Sequence, residues 1–62
     1  MVSAAEVLQY LKGIDFPVGK DGLVKKARDN HAPVEVINLL KKLPDQKFRS
    51  AVDINIAIGD IE

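Results

Sequence analysis

Apolar residues recur along this chain at helical spacing, in runs separated by Gly, Asn and Pro. The first stripe is Ala4, Val7, Leu8 and Leu11, spaced i, i+3, i+4 and i+7, and predicts a helix from about Ala4 to Lys12. Ser3-Ala4-Ala5-Glu6 reads as a capping box: the Ser hydroxyl accepts from an N–H three residues on while Glu6 reaches back, and Val2 and Val7 staple the turn. Gly13 suits the left-handed residue that ends this helix, with Ile14 folding back on its last turn. Leu23, Val24 and Ala27 predict a second helix from about Lys20 to Asp29, with Gly19 as a weak N-cap and Val18 and Leu23 as its staple. Gly22 in its first turn costs about 1 kcal/mol relative to alanine.

Asn30 is the expected left-handed residue after that helix, and Pro33 suits the first position of a third, where its missing N–H is not needed. This helix is predicted from about Pro33 to Leu43, with Val36, Ile37, Leu40 and Leu43 as its core stripe, Leu39 widening it and Pro44 ending it. A second box, Ser50-Ala51-Val52-Asp53, opens a fourth helix from about Ala51 to Ile58. Ile54, Ile56 and Ile58 alternate at period two, which also suits a strand. Against the strand stands the want of any second strand-like run to pair with it. Phe16, held extended before Pro17, and Phe48, the one bulky apolar residue of the Pro44–Arg49 link, are expected to plug the core. The predicted fold is thus all-α, four short helices in one small domain spanning residues 1–62.

At 62 residues with no cysteine, the core must hold without disulfide staples or thiolate-bound metal. Nine basic and nine acidic side chains cancel, so no net charge draws the chain to nucleic acid or to anionic lipid. No apolar run approaches the roughly 20 residues that span a bilayer, and no signal peptide is visible at the start. The expectation is a soluble, cytoplasmic protein with no membrane partner.

Several of these residues form a joint pattern. Tyr10-Leu11-Lys12-Gly13-Ile14-Asp15-Phe16-Pro17, then Leu23, Ala27 and Arg28, then Leu43-Pro44-Asp45 with Phe48, Ser50 and Asp53, resemble a prokaryotic family of small stand-alone domains classified only as a domain of unknown function. The resemblance spans nearly the whole chain and implies a compact helical module, without an activity, ligand or partner. Gly19 stands where that family usually has Ser, and Gly22 where it has an acidic residue, so the cap of the second helix is weaker here.

Candidate chemistry is sparse. His31, the only histidine, lies in a turn without the companions a metal ligand needs. Gly13 and Gly19-Lys20-Asp21 fail as a phosphate loop, because Asp21 replaces the hydroxyl, Pro17 removes an amide and no strand precedes. Ser3 and Ser50 are accounted for as caps, and the aspartates lack calcium-loop spacing. The chain is therefore expected to be non-enzymatic, with no catalytic, cofactor-binding or metal-binding residues and no cofactor.

Two binding readings remain. Tyr10, Val34, Val52 and Ile56 fall off the principal stripes and are the candidate partner-binding residues, for another protein or for a second copy in a homodimer. The alternative is a nucleic-acid-binding or regulatory unit in which the second helix, turn and third helix form a helix-turn-helix, with Lys20, Lys25, Lys26 and Arg28 facing phosphates. Pro33-Val34-Glu35 opens its recognition helix with an anion where base contacts should lie, which counts against it.

Overall fold

The four predicted segments become four helices in the computed structural model, which describes residues 2–61. They are α1 (Ala4–Gln9), α2 (Lys20–Asp29), α3 (Val34–Lys41) and α4 (Ala51–Ile61). The last segment is helix, not strand. Helix α1 packs on α4 and α2 on α3. Between the pairs lies a core of side chains from every helix and from the links: Val7, Leu11, Leu23, Ala27, Val36, Ile37, Leu40, Leu43, Phe48, Ile54, Ala57 and Ile58. None of the buried side chains is polar among the described residues, so burial carries no desolvation cost to offset.

The links between helices are tied to each other. Val18 N–H donates to the Phe48 carbonyl at 2.9 Å and Phe48 N–H returns the bond to Val18 at 2.7 Å, an isolated antiparallel bridge. This pairing seats Phe48 wholly inside the core. Phe16, expected there as a second plug, remains at the surface with 39% of its area exposed. The bridged link carries Phe48 inward and leaves Phe16, on the far side of Pro17, outside; the Phe16–Pro17 peptide bond is cis.

Helix ends differ from the sequence expectation where the last turn tightens. Helix α1 stops at Gln9 because Tyr10 and Leu11 bond back three residues, to Val7 and Leu8, and Ile14 does the same to Leu11 around Gly13 at φ +82°. Helix α3 stops at Lys41 for the same reason, with Lys42 bonded to Leu39 and Leu43 to Leu40. Leu43 stays buried beyond the helix. Pro33 is the N-cap of α3, not its first helical residue: at ψ 160° it is extended, and its carbonyl accepts from Val36 and Ile37. Helix α4 runs on through Gly59 to Ile61, one turn beyond Ile58 on the Ile54–Ala57–Ile58 stripe.

The end of α2 exchanges the roles expected of two neighbours. His31, at φ 60°, takes the left-handed position, and Asn30 does not. His31 N–H bonds to Arg28 and Ala32 N–H to Ala27, the paired bonds of a Schellman cap. Asn30 is held by a distant partner: its Nδ2 donates to the Tyr10 carbonyl at 2.7 Å and lies 3.5 Å from that of Lys12. The amide thus ties the end of α1 to the end of α2.

Both serine caps form, with unequal quality. Ser3 Oγ accepts from Glu6 N–H at 3.1 Å. At the second box, Ser50 Oγ stands 3.5 Å from Asp53 N, the outer limit of a hydrogen bond. There Asp53 reaches back one residue further than a capping box requires, and its Oδ2 accepts from Arg49 N–H at 2.9 Å.

Candidate functional site

Helix α4 is apolar on more than one side. Its inner stripe, Ile54, Ala57 and Ile58, is buried against the core. One turn apart on the other side stand Val52 and Ile56, exposed at 64% and 58%. The spacing of four residues forces this arrangement: once Ile54 and Ile58 face inward, the residues two positions before each point away. Residues four apart are neighbours on a helix surface, so the two exposed side chains stand next to each other.

Grooves flank the pair. One, between α1 and α4, is lined by Ala5, Leu8, Ala51, Val52 and Asn55. The other, of about 380 Å³, lies between α4 and the link after α3 and is lined by Pro44, Gln46, Asp53, Ile56, Ala57, Asp60 and Ile61. Among the described residues that line it, the charged groups are the carboxylates of Asp53 and Asp60, seven residues and about two turns apart on one side of the helix.

The other candidate partner residues lie elsewhere. Val34 opens α3 and is 70% exposed, but lines neither groove on α4. Tyr10 is half-buried and packs against the core, with its carbonyl engaged by Asn30; it too lines neither groove. Of the four candidates, then, Val52 and Ile56 are brought together on one helix.

The basic residues are only partly assembled. Lys20, Lys25 and Arg28 share a shallow groove with Lys41, and Asp21 and Asp29 line the same groove. Lys20 Nζ donates to the Lys41 carbonyl at 3.2 Å, a cation at the negative end of α3. Lys26 instead extends over Gly13 and lines the neighbouring groove with Asp15 and Gly22. The helix pair α2 and α3 does pack together, and Val34 and Glu35, at the start of the second helix, are exposed.

Among the described residues no group of three or more His, Cys, Asp or Glu side chains could hold a metal ion. No helix among them is long and apolar enough to cross a membrane.

Sequence reasoning assigned Asp53 to the helix cap and gave Asp60, Gln46 and Asn55 no role. For Asn55 the available signal was a second line on α4, Val52, Asn55, Ile56 and Gly59 at i, i+3, i+4 and i+7, opposite the core stripe; for Asp60 it was the seven-residue spacing from Asp53, and for Gln46 the sequence carries none.

Residues 2–55 match the family model described as a protein of unknown function, DUF2795, and the chain belongs to that family. No curated protein and no solved structure matches it.

Proposed function

We propose that this domain is a non-enzymatic protein-interaction module that engages its partner through the outer face of α4. The observation that carries the reading is the exposure of Val52 and Ile56, 64% and 58%, one turn apart and flanked by grooves on both sides. Single exposed apolar residues are ordinary, whereas adjacent ones beside a concave surface mark a site where a partner excludes water. Tyr10 and Val34 lie outside this face, and Tyr10 serves the packing of α1.

The test is a Val52→Asp, Ile56→Asp double variant. Both side chains are exposed, so its melting temperature should stay near that of the parent. The expected result is loss of the proteins that the tagged parent recovers from its native cells, or of self-association by sedimentation if the partner is a second copy. A folded variant that retains the same partners and the same mass would refute the reading.

A second reading, nucleic-acid binding by α2, draws support from Lys20, Lys25 and Arg28 sharing a groove with Lys41. Two carboxylates in that groove and zero net charge place it second. It requires DNA or RNA affinity that falls steeply with salt and is abolished by Lys25→Glu with Lys26→Glu.

A further inference from the structure

Charge is unevenly distributed over this neutral chain. Helix α4 contains Asp53 and Asp60 and no basic residue, while α2 contains Lys20, Lys25, Lys26 and Arg28 against Asp21 and Asp29. The larger groove on α4 therefore offers an apolar floor from Ile56 and Ile61, with negative charge and, among the described lining residues, no positive charge. From Asp53 to Ile61 the helix rises by about 12 Å, the length of two helical turns.

We infer that the partner of this face is a cationic amphipathic helix: its apolar side chains cover Ile56 and Ile61, and Lys or Arg residues two turns apart meet Asp60 and Asp53. The inference rests on the interaction reading above and specifies the partner's chemistry. A second copy docked α4 to α4 is the poorer occupant. Antiparallel about Ile56, it would set Asp53 and Asp60 of one copy beside the same acids of the other, with no cation on either helix. Like charges brought together in a partly dry interface cost affinity, and opposite charges select a partner and speed its encounter. A basic side chain has a second advantage, since its methylene stem lies along apolar surface while its charged end reaches the carboxylate.

Isotope-labelled protein titrated with two designed peptides tests this. One is a Leu/Lys helix with leucines at i, i+3, i+4 and i+7, and the other carries the same leucines with Glu replacing each Lys. The Leu/Lys peptide should shift the amide resonances of Ile56, Asp60 and Ile61 and bind at least about tenfold more tightly than the Leu/Glu peptide. Added salt should weaken it. Asp60→Lys, at an exposed position, leaves one negative and one positive charge along the groove, so it should fold normally and remove the preference between the two peptides.

Equal binding of both peptides at α4 would overturn the cationic partner and leave the interaction face standing. Shifts confined to α2 or α3 would overturn the assignment to this groove, and a preference unchanged by Asp60→Lys would overturn it as nonspecific charge attraction. Self-association abolished by Ile56→Asp would overturn it in favour of a second copy. No shift with either peptide, together with unchanged partners in the Val52→Asp, Ile56→Asp variant, would remove both readings.

Discussion

Replacing a helical glycine by alanine ordinarily stabilises a protein by about 1 kcal/mol, because the unfolded chain loses freedom and the helix gains propensity. At Gly22 the opposite is expected. A Cβ built there would lie 2.5 Å from Val18 Cγ2, closer than unbonded carbons come. Val18 has little room to yield: it is β-branched and stiff about χ1, and its backbone is held by the two bonds to Phe48. Overpacking of this kind costs about 1–3 kcal/mol, so against a propensity gain of about 1 kcal/mol the net effect is a loss of up to about 2 kcal/mol. Urea unfolding followed by circular dichroism measures it. Removing the clash should restore the ordinary sign: in a Val18→Ala background, Gly22→Ala should stabilise by about 1 kcal/mol. The reasoning is refuted if Gly22→Ala stabilises the parent as much as it stabilises the Val18→Ala variant, since the two sites would then be uncoupled.

His31 holds a left-handed conformation that costs an L-residue about 1–2 kcal/mol, so His31→Gly should raise the midpoint of urea unfolding, and a lowered midpoint would mean the imidazole makes a contact worth more than that strain. At the start of α4 the 2.9 Å bond from Arg49 N–H to Asp53 is the better of the two capping bonds. Asp53→Ala should therefore cost about 0.5–2 kcal/mol by thermal melting, and Ser50→Ala less than Asp53→Ala.

Three helices were legible in the sequence because stripes of period 3.6 agree with caps and breakers at their ends, and the fourth was legible from its cap and the want of a pairing strand, against the period-two isoleucines. The details that were not legible depend on contacts between residues far apart in the chain. Whether Asn30 or His31 turns left-handed is decided by the Tyr10 carbonyl, twenty residues away, which captures the Asn30 amide and leaves the strained position to its neighbour. Likewise Phe16 and Phe48 have equal claims by composition. The bridge between Val18 and Phe48 decides which one fills the core. Gly22 illustrates the same point with its sign reversed, since what reads as a cost to helix α2 is the space that lets Val18 approach it.

The candidate site was half legible. Val52 and Ile56 follow from spacing alone, because a helix that buries Ile54 and Ile58 must turn them outward. The acidic side of the groove could not be read that way, because it exists only where the link at Pro44 and Gln46 folds back beside α4. Asp53 and Asp60 also differ in a way that separates fold from recognition. One oxygen of Asp53 is already engaged by Arg49 N–H, so changing Asp53 disturbs the helix start as well as the groove. Asp60 is exposed near the other end of the helix. Charge reversal at Asp60 should therefore alter affinity for a cationic helix while leaving the melting temperature unchanged, whereas Asp53→Ala should lower both. Were Asp60→Lys to destabilise the fold as much as Asp53→Ala, Asp60 would be a structural residue, and selection by charge at this groove would lose its support.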